Sequence, residues 1–159
     1  EKGRTDVIFA AKQAGFSCDW TPLCQDAMYA ILPPDYPLDG QETFPIEAFE
    51  GKEFLMPYGK FDLDVKAALS ANNVKPKIRP CHVDDETVIR MVGKGLGLSM
   101  MAEMMIRGRT NGVTAVPIEP ATGRELGMGL HMRESMPDGI LRLRECVLAF
   151  IGTLPGTES

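Results

Sequence analysis

The chain has 159 residues, 44% hydrophobic and 25% charged. That is the profile of a globular protein large enough for one ordinary domain or two small lobes, and not of a disordered chain. Its net charge of −5 lacks the basic surplus with which a duplex-DNA reader replaces phosphate counterions, which argues against direct nucleic-acid binding.

No apolar run approaches the ~20 residues that span a bilayer, so no membrane partner is expected. The opening Glu1-Lys2-Gly3-Arg4 carries neither an initiator Met nor a signal-peptide pattern, which reads as the start of a piece of something longer. Asp6 to Ala11 is short, apolar and bounded by Gly3 and Gly15, and reads as a strand covered on both faces, as in a parallel sheet. Asp26 to Leu32 is a second strand, stopped by the prolines at 33, 34 and 37, which cannot donate to a ladder. Phe44 to Phe49 reads as one helical turn ended by Gly51, and Glu53 to Met56 as a third strand. Phe61 to Asn72 has helical spacing, with Phe61, Val65, Ala68, Leu69 and Asn72 on one face, Asp62 as cap, and Asn73 and Pro76 as stop signals. Lys77 to Val83 is the next strand. Asp84, Asp85 and Glu86 then gather negative charge, as the first turn of a helix prefers. Val88, Met91 and Val92 form that helix's inner face, and Gly93 and Gly95 end it.

Leu96 to Met100 reads as a short strand, Ala102 to Ile106 as a short helix, and 113–118 and 125–132 as strands. A last helix runs from about Pro137 to Ile151, capped by Ser135 with Asp138 three residues on. Its apolar stripe is Ile140, Leu143, Val147, Phe150 and Ile151. The alternation of strand and helix argues an α/β fold with a largely parallel or mixed sheet.

No catalytic pattern emerges. Gly93-Lys94-Gly95-Leu96-Gly97 closes a helix and opens a strand, whereas a phosphate loop runs from strand into helix. A tight turn with close backbone packing explains it. Ser99 is in no nucleophile elbow. Cys81 and His82 are neighbours on a strand and point to opposite faces. Met100, Met101, Met104 and Met105 read as core packing around a short helix. The four cysteines, Cys18, Cys24, Cys81 and Cys146, form no close pair and read as free thiols in a reducing compartment. The two histidines are too scattered to mark a metal. No metal, cofactor or catalytic residue is expected.

The order of segments resembles one family. Gly3-Arg4-Thr5-Asp6-Val7-Ile8 is similar to a "G-x-x-D-hydrophobic" strand, Leu23 to Pro33 to a crossing strand, and Tyr36-Pro37-Leu38 to a "His-Pro-Leu" turn, with Tyr in place of His. Phe49 to Leu55 matches a turn-then-strand segment. Val88 to Leu98 (VIRMVGKGLGL) resembles an "x-x-M-V-x-x-G-x-G-I" helix and strand, although the proline usual after that strand is missing. Together these resemble the effector-binding domain of LysR-type bacterial transcription regulators, N-terminally truncated and without the winged helix-turn-helix.

The resemblance implies a periplasmic-binding-protein-like fold of two α/β lobes joined by crossing strands. Residues 1–23 would be a remnant of the first lobe, 24–127 a complete second lobe, and 128–159 the return strand and terminal helix of the first. It implies a cytoplasmic, non-enzymatic sensing domain. The partners would be a small-molecule effector, with a carboxylate as the candidate class, a further copy of the chain in a homo-oligomer, and DNA only through the absent N-terminal domain. It places effector contacts at Ala10 and Ala11, at Tyr58, Gly59, Lys60 and Phe61 after the third strand, and at His82, Val83, Asp84 and Thr87 before the following helix. The chemistry suits that placement, because two helix starts present free N–H groups to a polar acceptor and Tyr58 and Phe61 offer apolar walls. The rival readings are a solute-binding protein of a transporter and, less favoured, an enzyme on a related two-lobed fold.

Overall fold

The computed structural model describes residues 5–13, 15–57, 62–131 and 136–153. It divides into two compact units, Glu1–Gln25 with Glu125–Ser159 and Asp26–Arg124. The chain therefore passes between them twice, inside strand β2 (Asp19–Leu32) and inside strand β8 (Gly123–Leu130).

In the first unit, β1 (Val7–Ala11) pairs antiparallel with β8, Val7 opposite Leu130 and Ala11 opposite Leu126. The expected parallel, doubly covered strand is corrected here. Phe9 is 58% exposed and its neighbours are half-buried, because an antiparallel ribbon can leave one face in water. Helix α4 (Asp138–Ile151) follows, and no residue of it is fully buried. Ile140, Val147 and Ile151 are half-buried while Leu143 and Phe150 are exposed, so only part of the expected stripe is covered. Ser135 lies outside the described residues. The cap position is Pro137, which makes no side-chain capping bond.

The second unit is built on the far half of β2. Here Met28, Ala30, Ile31 and Leu32 are buried. Strand β6 (Ser99–Ala102) and strand β7 (Thr114–Glu119) flank it, both antiparallel, so that Ala30 faces Met100 on one side and Val116 on the other. Strand β3 (Phe44–Pro45) joins β7 in parallel and leads into a 3-10 turn, Ile46–Phe49. Strands β4 (Glu53–Pro57) and β5 (Lys77–Cys81) form a parallel pair, connected by helix α1 (Asp62–Ala71). Helix α2 (Asp85–Gly93) and the short helix α3 (Glu103–Ile106) complete the unit.

Period two along these strands builds two cores. Ala30, Phe54 and Met100 pack with Phe44, Phe49, Val65 and Leu69. Their chain neighbours Ile31, Leu55 and Met101 pack with Val88, Ile89, Val92 and Ile106. Two-sided burial is why the strands read as continuous apolar runs. Rings at 44, 49 and 54 stack with centroid separations of 4.8 and 5.2 Å, a spacing suited to tilted and edge-to-face contact.

The structure moves some sequence boundaries. The strand expected from Leu96 begins at Ser99, since Leu96 is 47% exposed and Leu98 makes a single parallel bridge to Phe54. Ile89, not Met91, completes the buried face of α2. Met104 is 48% exposed, so it stands apart from the methionine packing expected of it.

Candidate functional site

The parallel register of β4 and β5 sets Pro57 opposite Cys81. The chain leaves both strands at the same end, one strand spacing apart. Pro57 and Cys81, the residues that precede the two expected contact loops, thus lie side by side. Tyr58, Gly59, Lys60 and Phe61 themselves lie outside the described residues. His82, Val83 and Asp84 are exposed and Thr87 is half-buried. His82 falls beyond the end of β5, so the face alternation expected between it and Cys81 does not govern its direction. Ala10 and Ala11 are half-buried on β1 in the other unit.

Asp84 is the N-cap of α2. Its Oδ1 accepts the Thr87 backbone N–H at 2.7 Å. That bond, then the Thr87 hydroxyl, holds the Asp84 carboxyl below its ordinary value. Next to it, burial pushes Asp85 up, with Arg109 pulling the other way. Two adjacent carboxyls are thereby driven apart by one helix start, because one is bonded in its charged form and the other is desolvated.

The far end of α2 explains the glycine-rich stretch. Gly95 has φ +73°, and its N–H bonds Val92 O at 2.8 Å while Leu96 N–H bonds Met91 O at 3.2 Å, the paired bonds of a Schellman stop. At Gly97 a Cβ would come within 2.8 Å of the Glu53 carbonyl oxygen. The strand connection presses on β4, as the sequence reading of close backbone packing requires.

A buried charge cluster in the second unit was not anticipated. Asp26 shares the inward face of β2 with Met28, Ala30 and Leu32, and its side chain has no exposed surface. Its Oδ2 accepts Arg124 Nε at 2.9 Å and Nη2 at 2.8 Å, and its Oδ1 accepts the Met104 N–H at 3.0 Å. The third arm of Arg124, Nη1, reaches Asp64 Oδ2 on α1 at 3.4 Å. A cavity of about 10 Å³, lined in part by Pro57, Asp64, Val65 and Arg124, adjoins the cluster; it has room for one water. The available signal was an acidic residue at an inward position of an apolar strand.

On the first unit's side, Glu125 accepts Trp20 Nε1 at 2.8 Å and pairs with Lys12 at 3.1 Å. The Trp20 bond, then Lys12, lowers its carboxyl pKa. The four cysteines are unpaired thiols, and no group of three His, Cys, Asp or Glu side chains able to hold a metal occurs among the described residues. No described helix is long and apolar enough to cross a membrane.

The family model described as the LysR substrate binding domain matches residues 1–151. The chain belongs to this family. A relative of this LysR domain, the HTH-type transcriptional regulator TtuA of Agrobacterium vitis, is 24% identical over 131 residues, covering 78% of the chain and 43% of the relative. The chain thus spans less than half of that protein. Among solved structures, the Synechocystis PCC6803 CcmR regulatory domain in complex with 2-PG superposes with a TM-score of 0.80 at 16% identity, over 96% of this chain and 76% of that one. The effector binding domain of QuiR in complex with shikimate superposes at 0.75 and 13% identity, over 92% and 72%. The mixed α/β architecture of this LysR domain is therefore that of LysR effector-binding domains, the periplasmic-binding-protein-like fold implied by the sequence.

Proposed function

We propose that this domain senses a small-molecule effector for a one-component LysR-type transcription regulator and has no catalytic role. The observation that carries the reading is the family match across residues 1–151. In the whole regulator, DNA would be held by a winged helix-turn-helix elsewhere in the protein, in the cytoplasm and as a homo-oligomer. The effector would act by binding one arrangement of the regulator better than another, since equal affinity for both shifts nothing.

The effector contacts are assigned to Tyr58, Gly59, Lys60 and Phe61 and to His82, Val83, Asp84 and Thr87. The shared exit of β4 and β5 supports that assignment, with Pro57 opposite Cys81. Ala10 and Ala11 are assigned from the family resemblance alone. A carboxylate is the proposed effector class, because backbone N–H groups at helix starts suit an anionic acceptor. Shikimate and 2-PG, held by the QuiR and CcmR domains, are the first compounds to test.

In the intact regulator, Tyr58→Ala and His82→Ala should each reduce the effector response about tenfold or more, the loss of one good contact. A transcription reporter read across candidate small acids measures this, with thermal melts confirming that both variants fold. Normal responses from two folded variants would move the pocket elsewhere.

A further inference from the structure

We propose that two copies of this chain join through β1, edge to edge and antiparallel, about a twofold axis at Phe9. The proposal deepens the homo-oligomer reading above by naming its contact, and rests on it.

The backbone bonds of β1 are used on one side. At the ends of its ribbon with β8, the Lys12 N–H bonds Glu125 O at 2.8 Å and the His131 N–H bonds Asp6 O at 3.0 Å. Between them Ile8 stands opposite Gly129 and Ala10 opposite Gly127. The alternation of an antiparallel ladder therefore commits Asp6, Ile8, Ala10 and Lys12 to β8 and turns the N–H and C=O groups of Val7, Phe9 and Ala11 the other way. On that side β1 ends the sheet among the described residues. Val7-Ile8-Phe9-Ala10-Ala11 carries neither a charge nor a proline, and an edge without such guards is a template for another strand.

A second copy is named as the occupant because the segment is complementary to itself. Antiparallel pairing centred on Phe9 sets Val7 opposite Ala11 and Phe9 opposite Phe9, so each outward N–H meets an outward C=O. Ile8 then faces Ala10, a large side chain against a small one, in the closer, non-hydrogen-bonded kind of pair. Asp6 faces Lys12 at both ends, opposite charges directly across the ladder. Lys12 also pairs with Glu125 at 3.1 Å, yet its side chain is 54% exposed and within reach of a neighbour. Phe9, 58% exposed in one copy, gains the other copy's ring beside it. The next register that keeps the bonding pattern separates Asp6 from Lys12 and leaves outward groups unmet.

Sedimentation of the unaltered chain at about 0.1 mM should give a dimer and nothing larger, because a twofold pairing closes the edge. Phe9→Pro removes an outward N–H without touching the bonds to β8, and should weaken the dimer about tenfold or more. Asp6→Lys and Lys12→Asp should each weaken it about tenfold by setting like charges opposite one another. Mixing those two variants should restore a dimer, now of unlike chains, because every charge pair is complementary again. A fold that was merely destabilised would not recover on mixing. The β1 contact is overturned if folded Phe9→Pro dimerises as tightly as the unaltered chain, if the mixture stays as weak as its components, or if the mass climbs past two copies. Phe9→Pro keeps the test decisive even if a charge variant fails to fold. A dimer indifferent to all these changes keeps the homo-oligomer and moves its contact off β1, whereas an unaltered chain that stays monomeric removes both.

Discussion

Asp26 is 1% exposed on a strand whose other inward residues are Met28, Ala30 and Leu32. Such a carboxylate is tolerable only because both of its oxygens are bonded and its charge is opposed. Removing it leaves the guanidinium of Arg124, whose side chain is 11% exposed, without its two short bonds and with the longer Asp64 contact in their place. Asp26→Ala should therefore cost about 3–5 kcal/mol of stability, as for breaking one side of a buried pair. Urea denaturation measures it, and a loss under about 1 kcal/mol would show that the site is wet and screened, as surface pairs are. The exposed pairs Arg90–Glu86 and Arg107–Glu103 belong to that weaker class and are not expected to matter for stability.

At the scale of one element, α2 is specified at both ends, by the Asp84 cap and by the Schellman stop at Gly95. The cap is charge-dependent with a definite sign. The folded Asp84 pKa lies below that of an ordinary aspartate carboxyl, so its stabilisation is present above the unfolded pKa and is lost as pH falls through the folded one. Asp84→Ala should lower the melting temperature by a few degrees at neutral pH, as loss of an N-cap does. The gap to the unaltered chain should narrow as the carboxyl protonates in strong acid. Melts across that range check it, and a gap of constant size would mean the cap works without its charge. Asp85, raised by burial, has the opposite sign. Its protonated form is favoured in the fold, so it supports stability at low pH and loses that support as pH rises through its folded value.

For the whole molecule, uncovered apolar surface is the main liability. Phe9, Phe16, Leu141, Leu143, Leu148 and Phe150 are all exposed in the first unit, Phe150 by 63%. Val7, expected among them, is half-buried against β8. Apolar surface of this kind finds partners, so the isolated chain should self-associate. Light scattering at about 0.1 mM, where a micromolar dimer would be well populated, should report a mass above the monomer's. A clean monomer there would count against the homo-oligomer proposed for the regulator.

The amino-acid sequence by itself determined the family and most of the elements. Caps, stops and periodicity are local: Asp84 before an acidic helix start, Gly95 at its end, and Val65, Ala68 and Leu69 on one helix face are each decided within a turn or two of the chain. The candidate contact segments came from the family resemblance, not from the elements themselves. The antiparallel pairing of β1, the partial covering of α4 and the Asp26–Arg124–Asp64 cluster were decided only in tertiary structure. Each joins residues far apart in sequence, with Arg124 standing 98 positions after Asp26 and 60 after Asp64. Local propensity carries no term for such pairings. A strand shows from its own residues that it is apolar, but which edge it meets, and which charge waits at that edge, is fixed only when the rest of the sheet is in place.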